Sequence, residues 1–188
     1  MPIGHTYAVP PDRIALLGFM GAGKTTVGRE LARRLKWAFV DVDDVIVERA
    51  GRSIAAIFAA DGEACFREME HAALRDCLHR TQTIIALGGG AVETPANLHA
   101  LAGSSGTLTI YLRVPLETSC SRCEGAAGTP NAVRRPVFED RAALADRYSR
   151  RLPLYQRAAH WTIEADDPAD VVTGKILEFW STTFERSR

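Results

Sequence analysis

Gly18-Phe19-Met20-Gly21-Ala22-Gly23-Lys24-Thr25 reads G-x-x-x-x-G-K-T, the pattern of a loop that cradles the phosphates of a nucleoside triphosphate. Before it, Arg13-Ile14-Ala15-Leu16-Leu17 is a short apolar run that reads as a buried strand. After it, Val27, Leu31 and Leu35 recur at helical spacing. Strand, glycine loop and helix together turn the pattern into a mechanism. The glycines let backbone N–H groups curl round phosphate oxygens, and the helix N-terminus adds partial positive charge. Lys24 would reach the β- and γ-phosphates, and the Thr25 hydroxyl would ligate Mg²⁺. The chain has only three lysines, so a chance match that includes one is improbable.

A chain of 188 residues suits a single domain with a mobile insert. Acidic and basic residues balance at 23 each, so no global field recruits nucleic acid or an anionic membrane. The N-terminus lacks a basic stretch followed by an apolar run, and no segment is long and apolar enough to span a bilayer. The expectation is therefore a cytoplasmic protein with its four cysteines reduced. Cys120 and Cys123 form a C-x-x-C, but no second pair stands at zinc-finger spacing, and two unrelated thiols on a helix is the preferred reading. No apolar stripe announces a dimer, which leaves a monomer as the default.

In order, the chain reads as a loose leader (1–12), then the first strand, loop and helix. A second strand at Trp37-Ala38-Phe39-Val40 ends in Asp41-Val42-Asp43-Asp44. Three helices are predicted next: 45–50, one opening at Ser53 over 54–58, and one from about Ala64 to Leu78 behind Asp61-Gly62-Glu63. Strand three (83–87) runs into Gly88-Gly89-Gly90, and strand four covers 107–112. A helix from Pro115 to about Cys123 gives way to a polar, aperiodic flap over 124–134. A helix from Asp140 to about Ala159, which Pro153 must kink or restart, precedes strand five (161–164) and a last helix opened by Pro168. Strands alternating with helices imply an α/β fold, a parallel sheet covered on both faces. The organisation is one domain, 1–188: a core from 12–41 and 83–180, a helical insert over 42–80, and a lid over 123–139.

Ligands of such sheets bind beyond the carboxyl ends of the strands. Three features fall there: the phosphate loop, the Asp41/Asp43 pair and the triple glycine. One carboxylate can hold Mg²⁺, and the other can take the proton of an attacking hydroxyl. The competing reading is helix capping by Asp43 or Asp44. Gly88, Gly89 and Gly90 can admit a ligand close to the backbone, or simply make a turn. Arg67 and Arg151, taken alone, read as surface charges.

Taken together, the phosphate loop, Asp41-Val42-Asp43, Gly51-Arg52-Ser53-Ile54, Phe66-Arg67-Glu68-Met69-Glu70, Gly88-Gly89-Gly90, Arg135-Pro136 and Arg151-Leu152-Pro153-Leu154-Tyr155 resemble the shikimate kinase family in order and spacing, over about residues 12–180. The resemblance implies a five-stranded P-loop fold of the nucleoside monophosphate kinase type. The implied activity is Mg²⁺-dependent transfer of the ATP γ-phosphoryl group to the 3-hydroxyl of shikimate, on the route to chorismate. It also implies roles. Gly21, Ala22, Gly23, Lys24, Thr25 and Thr26 would bind ATP phosphates. Thr25 and Asp41 would hold Mg²⁺, and Asp43 the reacting hydroxyl. Arg67 and Arg151 would take the substrate carboxylate, with Gly88 to Gly90 lining the ring. Arg122 would stack on adenine, and Arg135 would be the lid arginine on the phosphates, preferred to Arg134 because proline follows it. The rival readings are a gluconate-type sugar-acid kinase and a non-catalytic nucleotide-binding protein.

Overall fold

Along β1 (Arg13–Leu17), Ile14 and Leu16 pack on one face of a sheet and Ala15 and Leu17 on the other, and all four are buried. Such period-two burial on both sides is what a central parallel strand requires. The computed structural model describes residues 10–126 and 141–185. Its sheet has five strands in the order β2-β3-β1-β4-β5: β2 is Ala38–Asp41, β3 Thr83–Ala86, β4 Thr107–Arg113 and β5 Trp161–Glu164. Every pairing is parallel, with Ile14 in register with Ile84 on one side and Leu108 on the other.

Helices α1 (Lys24–Leu35) and α7 (Ala169–Trp180) cover one face. There Val27, Leu31, Val172, Ile176 and Trp180 form one core with Ile14, Leu16, Ile84 and Ile110. The other face carries α2 (Val42–Ala50), α3 (Ile54–Leu78), α4 (Pro95–Ala102) and α6 (Arg141–Ala158). Their Ile46, Ile57, Phe66, Leu74, Leu101 and Tyr155 join Leu17, Ile85 and Tyr111 in a second core. Helix α5 (Leu116–Ala126) follows β4. The predicted five-stranded parallel sheet, helix-covered on both faces, is therefore the fold observed.

Several expected boundaries move, each for a local reason. Helix α2 starts at Val42 rather than Val45, because Asp41 caps it: the Asp43 N–H donates to the Asp41 carboxylate at 3.1 Å. The cap is thus neither Asp43 nor Asp44. The two helices expected over 54–58 and 64–78 meet without a loop. They form the single element α3, broken at Gly62, whose φ of 80° and ψ of 176° are not helical. Pro153 does not end α6. The turn it weakens is pinned on either side, by the Tyr148 hydroxyl donating to the Val114 carbonyl and the Tyr155 hydroxyl donating to the Gly89 carbonyl. Helix α5 runs on to Ala126, so the first residues assigned to the flap are helical. The rest of that segment, with Arg134 and Arg135, lies outside the described residues, as does most of the N-terminal leader.

Candidate active site

The phosphate loop leaves β1 and enters α1 through Gly23, which has φ 88° and stands at the helix N-cap. Gly21 is left-handed as well (φ 71°), and a β carbon there would lie 2.4 Å from the Ser119 carbonyl oxygen. Glycine at 21 lets the loop close on α5, and no other residue fits. Lys24 Nζ donates to the carbonyls of Gly18 (2.8 Å) and Phe19 (3.0 Å), so the ammonium spans the mouth of the loop it belongs to. Thr25 and Thr26 follow in the first turn of α1, where N–H groups lack helical partners.

Beside Lys24 the Thr25 hydroxyl donates to Asp41 Oδ2 at 2.9 Å. One hydroxyl and one carboxylate at a strand end suit a cation that keeps several waters and takes its remaining oxygens from substrate phosphates, as Mg²⁺ does. Among the described residues no cluster of three or more acidic, His or Cys side chains offers an all-protein cage. The donor set therefore fits a Mg²⁺ carried in with a nucleotide.

On the other side of the loop, the triple glycine after β3 lies where three side chains converge. A β carbon at Gly88 would stand 2.9 Å from both Asp43 Oδ1 and Glu70 Oε1, and one at Gly90 would stand 2.6 Å from Arg67 Nη2. Arg151, from α6, brings Nη1 to 3.7 Å from the equivalent point at Gly89. The glycines are thus the floor of a site walled by Asp43 of α2, Arg67 and Glu70 of α3, and Arg151 of α6. Arg67 donates to Glu70 Oε2 at 2.9 Å and to Glu63 Oε1 at 3.0 Å. Glu70 is 1% exposed, with Oε1 lacking a hydrogen-bond partner among the described residues. Burial raises its pKa even though Arg67 pulls the other way. Asn97, wholly buried, donates to Glu70 Oε2 and to the Ala91 carbonyl and meets His71 Nδ1 at 2.9 Å, which ties α4 to the site. Arg151 donates through Nε and Nη2 to Glu93 Oε2 at 2.9 and 2.6 Å.

A second recess, a crevice of about 190 Å³, opens between the phosphate loop with the start of α1, Arg122 of α5, and the turn from β5 into α7. Gly23, Thr26, Val27, Arg122 and Pro168 line it. Arg122 spends its N–H groups on the carbonyls of Ala165 (2.9 Å), Asp166 (2.9 Å) and the phosphate-loop residue Gly21 (3.5 Å). In-plane bonding of this kind leaves the flat face of a guanidinium for stacking on a ring.

Nearly all the residues singled out in sequence are thus placed in two adjoining sites. Gly21 to Thr26 and Arg122 border the crevice and loop, and Asp43, Arg67, Gly88 to Gly90 and Arg151 form the other site, with Asp41 between them. Arg135 is outside the described residues. Sequence reasoning quoted Glu70 within its Phe-Arg-x-x-Glu stretch but gave it no role, and it passed over Glu93. Glu70 was recoverable, since it stands three residues after Arg67 on the same helix face. Glu93 is 58 residues from Arg151 and carried no local signal. Neither Cys120 nor Cys123 is in a disulfide among the described residues.

A phosphate loop with its lysine, a Thr–Asp pair for a nucleotide-borne cation and a crevice for a flat ring sit beside a pocket of two arginines ringed by carboxylates. That combination defines an ATP-dependent small-molecule kinase with the P-loop fold. The shikimate kinase family model matches residues 20–181. The shikimate kinase of Salinibacter ruber is 43% identical over 183 residues, covering 89% of this chain and 84% of that protein. The solved structure of shikimate kinase from Acinetobacter baumannii in complex with shikimate superposes with a TM-score of 0.79 at 34% identity, covering 92% of this chain and 93% of that one. The chain belongs to the shikimate kinase family. A gluconokinase from Sinorhizobium meliloti shares the fold (TM-score 0.59) at only 14% identity, a likeness of architecture alone.

Proposed function

We propose that this chain transfers the γ-phosphoryl group of ATP to the 3-hydroxyl of shikimate, with each group held by the residues assigned above. The observation that carries the reading is the pairing of Arg67 and Arg151. They come from α3 and α6, lie far apart in sequence, and stand beside Gly90 and Gly89, with Asp43 beside Gly88. Two guanidinium groups over a glycine floor suit one carboxylate, since each can offer a fork of N–H donors. Asp43 then faces the ring side of the acid, where a hydroxyl would stand. Its carboxylate accepts that hydroxyl's proton as the oxygen attacks phosphorus.

On the nucleotide side, the loop N–H groups and Lys24 hold the phosphates, and the Arg122 face stacks on adenine in the crevice. Thr25 and Asp41 hold Mg²⁺, which when bound neutralises charge on the transferring phosphoryl group. Arg135 is assigned to the phosphates from its sequence context. Helices α2 and α3 form the acceptor-binding subdomain. Positioning and charge stabilisation account for the catalysis, because a loose phosphoryl-transfer transition state asks little covalent chemistry of the protein.

Balanced charge argues against nucleic acid or an anionic membrane as partner, and a monomer in the cytoplasm is the default reading. No helix among the described residues is long and apolar enough to cross a membrane. The deciding experiment measures ADP release with shikimate, quinate, gluconate and no acceptor, side by side. Release that depends on shikimate is expected. Equal release with gluconate would favour the sugar-acid kinase reading, and no acceptor dependence at all would refute the assignment.

A further inference from the structure

Three glutamates crowd the two arginines of the acceptor site, and they are not equivalent. Glu70 is buried and locked, tied to both Arg67 and Asn97. Glu63 is 67% exposed, so water screens its contact with Arg67. Glu93 stands between these extremes at 29% exposure. Its Oε2 alone takes two donors of Arg151 and lies 4.0 Å from Arg67 Nη2. One carboxylate oxygen thus addresses both arginines, which is the position a carboxylate substrate would claim.

The Arg151 side chain is 10% exposed, too buried to rely on water, so the empty site needs an anion beside it. An arriving acid adds a further negative charge next to Asp43, Glu63, Glu70 and Glu93. One resident carboxylate has to give way. Glu70 cannot leave without stranding a buried charge. Glu93 closes a three-residue 3₁₀ turn, Ala91–Glu93, at the partly open rim, and rotation of its own side chain is enough to release it.

We propose that Glu93 is the resident carboxylate of the acid site: it pairs with Arg151 in the empty enzyme and yields that place to the carboxylate of the substrate, so that it sets affinity and selectivity for the acid. This rests on the reading of Arg67 and Arg151 as the carboxylate-binding pair. The substrate then gains only the difference between its own contacts and those it displaces. A neutral analogue cannot replace the lost anion and is rejected.

The test compares wild type with Glu93→Gln, which keeps shape and loses charge, and Glu93→Asp, which keeps charge but loses reach. Shikimate and its methyl ester are titrated without ATP, and KM and kcat are measured with it. In both variants Kd and KM for shikimate should fall about three- to tenfold, the ester should gain less, and KM for ATP should stay put. If shikimate affinity in folded variants is unchanged or weaker, Glu93 braces Arg151 or stands by, and the proposal is overturned alone. If wild type and Arg67→Ala bind shikimate equally, the reading of the acid site fails and the proposal falls with it.

Discussion

Gly88→Ala places one methyl group between Asp43 and Glu70 and so tests whether Asp43 must be held in register. The new β carbon would lie 2.9 Å from Asp43 Oδ1 and 2.9 Å from Glu70 Oε1. Ordinary contact needs about 3.5 Å, so each oxygen is about 0.6 Å too close. The φ of Gly88 is not among the positive ones, so the perturbation is steric and local. Glu70 is 1% exposed and cannot retreat into water, which leaves Asp43 to move. A displacement of 1 Å can cost about 100-fold in rate, so roughly half of that predicts about a tenfold loss in kcat. Overpacking should also cost about 1–3 kcal/mol of stability.

The neighbouring glycines supply the controls. At Gly89 the nearest atom to a new β carbon would be 3.5 Å away, so Gly89→Ala should be the mildest change. At Gly90 it would meet the Arg67 guanidinium at 2.6 Å, and the flexible arginine can swing aside. Gly90→Ala should therefore raise KM for shikimate more than it lowers kcat. Steady-state ADP release against shikimate, with thermal unfolding of each variant, reads all three. The reasoning is refuted if Gly88→Ala keeps wild-type kcat, or if Gly89→Ala is the most damaging of the three.

Lys24→Ala should lower kcat by about 10²–10³-fold while removing only about 1 kcal/mol of stability, and unchanged turnover would dismiss Lys24 from phosphate binding. Asp41→Asn should keep α2 capped yet raise the Mg²⁺ requirement, with partial rescue by excess Mg²⁺. Asp43→Asn should cost up to about 10²–10⁴-fold in turnover at unaltered Mg²⁺ dependence, and the two roles are reversed if magnesium rescues this variant instead. Burial lifts Glu70 above its ordinary value of 4.5, so the folded protein keeps a proton that the unfolded chain releases. The contribution of this group to stability is therefore greatest below 4.5 and is lost as pH rises toward the folded pKa. Urea unfolding of Glu70→Gln against wild type across that window should shift in favour of the variant, and a pH-independent difference would contradict the raised pKa.

The sequence alone determined whatever is local. The strand, glycine loop and helix around Lys24 are contiguous, and the unbroken apolar run Ile14 to Leu17 already reads as a buried strand. The positions of Asp41 and of the triple glycine at strand ends followed from the same patterns, so the sites they form were legible as a group. Arg67 and Arg151 could be given a shared role only through resemblance, since nothing between them in the chain relates one to the other. Caps and breaks needed coordinates: Asp41, not its neighbours, turned out to cap α2 through a contact two residues away, and Tyr148 and Tyr155 held α6 together across Pro153 through carbonyls 34 and 66 residues away. The pairing of Glu93 with Arg151 belonged wholly to the tertiary structure. It exists because β3 and α6 pack on one sheet, which brings together two charges that sequence spacing leaves unconnected.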